Sequence, residues 1–140
     1  MFRTILLAVD GSKYAEKAVD LTKQFATATH DEVVLLHVTE LLPSRFLLPD
    51  DPDEEVDKDT IDLTRRYVDE LEAAGIKARA ELRHIQYGHV ARAITGLADE
   101  LDAGLIVMGS HGRSDLGALL LGSVAHKALH LTGRPVLIAR

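Results

Sequence analysis

Five short apolar runs punctuate the chain, and each reads as a β-strand. Thr4-Ile5-Leu6-Leu7-Ala8-Val9 and Val33-Val34-Leu35-Leu36-His37-Val38 are continuous rather than alternating. Continuous runs suit strands buried on both faces of a parallel sheet. Lys77 to Ile85 alternates instead, with Ala78, Ala80, Leu82 and His84 set against Arg79, Glu81 and Arg83. That pattern predicts a more exposed, edge-like strand. Leu105 to Met108 and Pro135 to Ala139 complete the set.

Between the runs the apolar period changes from two to 3.6. Ala15, Ala18, Val19, Thr22, Phe25 and Ala26 fall on one helical stripe. A second helix is expected to start at Asp51-Pro52-Asp53-Glu54, where Asp51 can cap, Pro52 fits the first turn and Glu54 can complete a capping box. Its apolar face holds Val56, Thr60, Leu63, Tyr67 and Leu71, and Gly75 supplies a left-handed stop. A third helix shows Ala91, Ile94, Leu97, Ala98 and Leu101, and a fourth opens near Gly122-Ser123 and ends by Gly133. Strand alternating with helix predicts an α/β fold: one domain over residues 1–140, with an open five-stranded parallel sheet and helices on both faces. The one unusual connection is Glu40 to Asp50. It carries Leu41, Leu42, Phe46, Leu47 and Leu48 between prolines, and reads either as a loop folded back on the core or as a flap over a ligand or partner.

Composition narrows the function. The 140 residues are 46% hydrophobic and 27% charged, which is ordinary globular usage. The net charge of -6 gives no surface-wide footprint for nucleic acid or anionic membrane. No cysteine is present, which removes disulfides, thiol nucleophiles and Cys-based metal sites. Without tryptophan, and with three Phe and three Tyr, the chain has no aromatic platform for single-stranded nucleic acid. No targeting segment or membrane-length apolar run is seen, so a soluble cytoplasmic protein is expected.

In open parallel sheets, ligands bind beyond the carboxyl ends of the strands. The first strand is followed by Asp10-Gly11-Ser12. The fourth is followed by Gly109-Ser110-His111-Gly112-Arg113 and, after Ser114 to Leu121, by Gly122-Ser123: a G-x2-G-x9-G-S pattern. Glycines let the backbone approach a ligand closely, and a helix N-terminus offers unpaired amides and a positive dipole end. Together they make an anion site, most often for phosphate. Ser110 and Ser123 add hydroxyls, and His111 and Arg113 add positive charge. Gly117-x4-Gly122-Ser123 has Walker A glycine spacing, but Ser123 stands where lysine belongs, and G-x-G-x-x-G is missing after the first strand.

These residues resemble the universal stress protein family over essentially the whole chain. The resemblance is carried by Ile5-Leu6-Leu7-Ala8-Val9-Asp10-Gly11-Ser12, Leu35-Leu36-His37-Val38, Val107 to Arg113, Leu121-Gly122-Ser123-Val124 and Arg134-Pro135-Val136-Leu137-Ile138. Every position of the glycine pattern is kept, so the chain resembles the family's ATP-binding members. The resemblance implies a Rossmann-like sheet of order 3-2-1-4-5. Ala8 and Val38 would border the adenine, Val9 would line the nucleotide site, and Asp10 would lie by the ribose and a metal. Met108 and Gly109 would flank the nucleotide. Ser110, His111, Gly112, Arg113, Gly122, Ser123 and Val124 would surround the phosphates. ATP with Mg²⁺ or Mn²⁺ is the implied cofactor set, with Asp10 the metal residue. A homodimer through Val136 to Ala139 is implied as well, and an apolar edge strand independently favours pairing.

The expected function is a nucleotide-dependent stress-response switch with a downstream protein partner that the sequence does not name. The alternative is a slow ATPase or nucleotidyl-transfer enzyme, although no water-positioning residue is evident beyond Asp10 and His111. A flavodoxin-like carrier ranks last, because its phosphate loop would follow the first strand. His126 and His130 stand four apart but lack the Glu of H-E-x-x-H and a third ligand, so they read as surface histidines. His37 reads as a core histidine. The acidic run Asp50 to Glu55, broken by Pro52, reads as complementing a helix dipole. Gly122→Val is expected to abolish ATP binding with the fold intact.

Overall fold

A computed structural model describes residues 1–41, 58–112 and 121–140. In chain order the elements are β1 (Thr4–Val9), α1 (Lys13–Thr29), β2 (Glu32–Leu41), α2 (Lys58–Ala73), β3 (Ala78–Gln86), α3 (Val90–Glu100), β4 (Leu105–Gly109), α4 (Ser123–Leu131) and β5 (Val136–Ala139). The five strands form one parallel sheet in the order β3-β2-β1-β4-β5. The central strand β1 pairs Ile5 with both Val33 and Leu105, and Ala8 with both Leu36 and Met108. Ile5, Leu6 and Leu7 are fully buried, as the unbroken apolar run requires.

Alternation along each strand builds two cores. Ile5, Leu7, Val33, Leu35 and Val107 face α1 and α2, together with Ala18, Val19, Tyr67 and Leu71. Leu6, Val34, Leu36, Ile106 and Met108 face α3 and α4, together with Ile94, Ala98, Ala125 and Ala128. The order reverses at β1: β2 lies on one side of it and β4 on the other. Loops leaving β1 and β4 therefore diverge to opposite faces and open a crevice between them.

Three details differ from the sequence reading. β2 runs on to Leu41, beyond Val38 and into the expected loop, because Thr39, Glu40 and Leu41 find partners in His84, Ile85 and Gln86 of β3. The strand alternation of β3 holds only loosely: it is the sheet edge, and Ala80 and His84 are exposed with Arg79 and Arg83. Phe25 is 41% exposed and stands off the buried stripe of α1, which comprises Ala15, Ala18, Val19, Thr22 and Ala26. The expected start of α2 at Asp51 to Glu54, Val56 and the rest of the apolar connection lie outside the described residues, as does Arg113. The α2 stop is as read: Gly75 has φ +80, and the amide of Ile76 returns to the carbonyl of Leu71 at 3.0 Å.

At the amino end of the sheet, Asp31 ties the chain start to the α1–β2 turn. Its buried carboxylate accepts hydrogen bonds from the Met1 ammonium at 2.9 Å and from the Phe2 and Arg3 amides at 3.0 and 2.7 Å. The Thr29 hydroxyl donates a fourth. Burial alone would push this carboxyl up, but the four donors hold it well below the usual carboxylate range.

Candidate functional site

The two helix N-termini at the crevice are not equivalent. At α1, the Ser12 hydroxyl accepts the Ala15 amide at 3.1 Å, and the Asp10 carboxylate accepts the Ser12 amide at 3.0 Å. That end carries side-chain caps from within the chain. At α4, the cap is Gly122, in an extended conformation with no side-chain cap bond. Its own amide bonds the Ser110 carbonyl at 2.6 Å, and helical bonding starts with the His126 amide on the Gly122 carbonyl at 2.9 Å. The amides of Ser123, Val124 and Ala125 thus have no intrahelical acceptor. The dipole of α4 adds positive potential at the same point. An anion site after β4, and not after β1, is what this contrast favours.

These amides open on a cleft of about 180 Å³. One end is apolar: Ala8 of β1, Leu36 and Val38 of β2, Met108 of β4 and Val90 and Ile94 of α3. The other end is polar: Asp10, Gly109, Ser110, His111, Gly112, Gly122 and Ser123. Val9, Val124 and Ala125 line it as well. Of the thirteen residues named from sequence, the fold gathers every one except Arg113, which is not described. Leu36, Val90, Ile94 and Ala125 were missed. Leu36 shares a strand face with Val38 two residues on, and Val90 and Ile94 share a helical face, so periodicity held that signal.

Close backbone approach explains the glycines. A Cβ on Gly112 would lie 2.9 Å from Oδ2 of Asp10, and one on Gly109 would lie 2.7 Å from Cβ of Tyr14. A Cβ on Gly122 would meet the Ser110 carbonyl oxygen at 2.9 Å and Cα of His111 at 3.1 Å. Both are backbone atoms, so Gly122→Val must displace the β4–α4 return itself. The expectation that this variant leaves the fold intact is therefore corrected: lost binding should come with a lower thermal midpoint, read by circular dichroism.

Polar contacts fix the mouth. The Ser110 side chain is buried at 1% residue exposure, and its Oγ lies 3.1 Å from Nδ1 of His111. The His111 ring sits 5.2 Å from the Tyr14 ring, and Lys13 lies 5.0 Å over that tyrosine. The Ser110 amide bonds the Ala139 carbonyl at 2.7 Å, so β5 braces the loop. Ser110 thus orients His111 rather than presenting an uncommitted hydroxyl. His37 is buried in β2, as expected of a core histidine. Among the described residues, no three His, Asp or Glu side chains cluster so as to hold a metal ion unaided. No helix there is long and apolar enough to cross a membrane.

Comparison with known proteins agrees with this fold. The family model "Universal stress protein family" matches residues 1–140. A universal stress protein of Thermus aquaticus is 34% identical, with all of both chains covered. The solved structure of MJ0577, a universal stress protein of Methanocaldococcus jannaschii, superposes with a TM-score of 0.86 at 27% identity, covering 99% of this chain and 96% of that one. A universal stress protein solved in complex with cAMP superposes with a TM-score of 0.71 at 27% identity, covering 99% and 97%. With the sheet order, the two-faced core and the glycine loop all in place, the chain belongs to the universal stress protein family.

Proposed function

We propose that the chain binds an adenine nucleotide in this cleft, with ATP as the full-length ligand, and works as a nucleotide-dependent switch. The observation that carries the proposal is the uncapped N-terminus of α4, placed at the polar end of a cleft whose other end is apolar. A nucleotide has the same two-ended chemistry. Ala8, Leu36, Val38, Met108, Val90 and Ile94 would enclose the base. Gly109, Gly112 and Gly122 would let backbone reach the phosphates, and Ser123, Val124 and Ala125 would supply amides. Similarity to a relative solved with cAMP supports the adenine class.

Asp10 faces the glycine loop, so its carboxylate and a bound phosphate would repel. A hard divalent cation between them removes that conflict, and one carboxylate plus phosphate oxygens is a sufficient donor set for Mg²⁺ or Mn²⁺. Asp10 would hold the ion, which would neutralise phosphate charge. The protein, incubated with ATP and Mg²⁺ and freed of unbound ligand by gel filtration, should release an adenine nucleotide on denaturation. Release of a flavin, or of no nucleotide, would contradict the reading.

The switch would act through a homodimer. β5 is the outer strand, with Val136, Leu137 and Ile138 only partly covered. Pro135 and Ala139 direct their carbonyls to β4, so by alternation Val136 and Ile138 direct main-chain groups outward. Ile138→Pro removes an outward amide, which an edge strand tolerates. Light scattering is expected to show a dimer for the native chain and a monomer for the variant. A dimer of unchanged mass in the variant would place the interface elsewhere.

A further inference from the structure

The last helix carries a feature unrelated to the cleft. His126 and His130 are both exposed on α4, four residues apart, and their ring centres are 4.5 Å apart with the planes tilted by 38°. Two imidazoles bound to one ion through metal–nitrogen bonds of about 2.0–2.1 Å have ring centres roughly 4.5–5 Å apart. The ring-centre separation falls at the short end of that range.

A second contact bears on which nitrogen is available. Nδ1 of His130 lies 2.9 Å from the carbonyl oxygen of His126. That oxygen can only accept, so Nδ1 carries the proton and donates it. In the neutral ring Nε2 then holds the lone pair, the state a metal ligand needs. Donation of the far ring N–H to a backbone carbonyl is how ligating histidines are normally oriented. The position of His130 helps as well: it lies in the last turn of α4, where the negative end of the dipole favours a cation.

We propose that His126 and His130 form a two-histidine binding site for a first-row divalent ion, with water completing the coordination. Imidazole nitrogens select Cu²⁺, Ni²⁺ and Zn²⁺ over Mg²⁺ and Ca²⁺, and affinity should follow Cu²⁺ above Ni²⁺ or Zn²⁺. The site faces solvent and shares no residue with the cleft lining. It stands independently of the nucleotide reading.

The test is calorimetric titration of the untagged full chain with NiCl₂ and with CuCl₂. One ion per chain is expected at this site, with Mg²⁺ in excess failing to compete. His126→Ala and His130→Ala should each weaken it at least tenfold, with unchanged circular dichroism, since neither side chain is buried. His84→Ala, which removes an exposed histidine of β3, should bind as the native chain does. Native affinity in His130→Ala, or loss of binding in His84→Ala instead, would overturn the proposal.

Discussion

Ser123→Pro is expected to weaken ATP binding by about ten- to a hundredfold while leaving the fold intact. Ser123 is the first residue of α4, where the amide has no intrahelical acceptor to lose. Proline is favoured at that position because its fixed φ already suits the helix. The residue before a proline must be extended, and Gly122 already has φ −67 and ψ 161. The substitution therefore removes one main-chain donor and one hydroxyl with little strain. A hydrogen bond to a charged group contributes about 1.5–3 kcal/mol, and each 1.4 kcal/mol is about tenfold in affinity. Thermal melting should change little, whereas calorimetry with ATP should show the loss. Native affinity in a folded Ser123→Pro protein would separate the phosphates from the α4 amides.

Asp31→Ala is expected to be the most destabilising single change at the opposite end of the sheet. It strands the Phe2 and Arg3 amides, which Asp31 now accepts at 3.0 and 2.7 Å. Arg3 sits at φ 65, in the left-handed region, and Asp31 is what holds its amide there. Unsatisfied buried donors cost about 1–3 kcal/mol each; these two are only part-buried, so a loss of about 1–3 kcal/mol in total is expected in urea unfolding at neutral pH. The acid dependence has a defined sign. The folded carboxyl titrates below its unfolded value, so its contribution is complete above the unfolded pKa of about 3.9 and disappears as pH falls toward the folded one. The gap between native and variant should therefore narrow from pH 7 to about pH 3. A gap that stays constant would mean that the charge is not what stabilises the turn.

The sequence displayed those features whose cause is local or repetitive. Ile5 to Val9 and Val33 to Val38 could only be central strands, because an unbroken apolar run needs cover on both faces. The glycine spacing after Met108 pointed to the cleft because backbone approach leaves a compositional trace. Features set by distant partners were not visible. Asp31 carries no local signal, since its partners are amides nearly thirty residues away. β2 extends to Leu41 only because β3 is there to pair with it. The crowding at Gly122 depends on the Ser110 carbonyl, which the return from β4 brings within reach. Leu36 and Ile94 were legible as strand and helix-face residues, but which end of the sheet they bordered was set by the strand order.

The central claim is that one adenine nucleotide occupies the cleft between β1 and the N-terminus of α4. Calorimetric titration of nucleotide-free protein with ATP and Mg²⁺ tests it most directly. A saturable event with one site per chain, weakened in Ser123→Pro and preserved in Asp31→Ala below its melting temperature, is the predicted result. A native chain that shows no saturable ATP binding would contradict the claim.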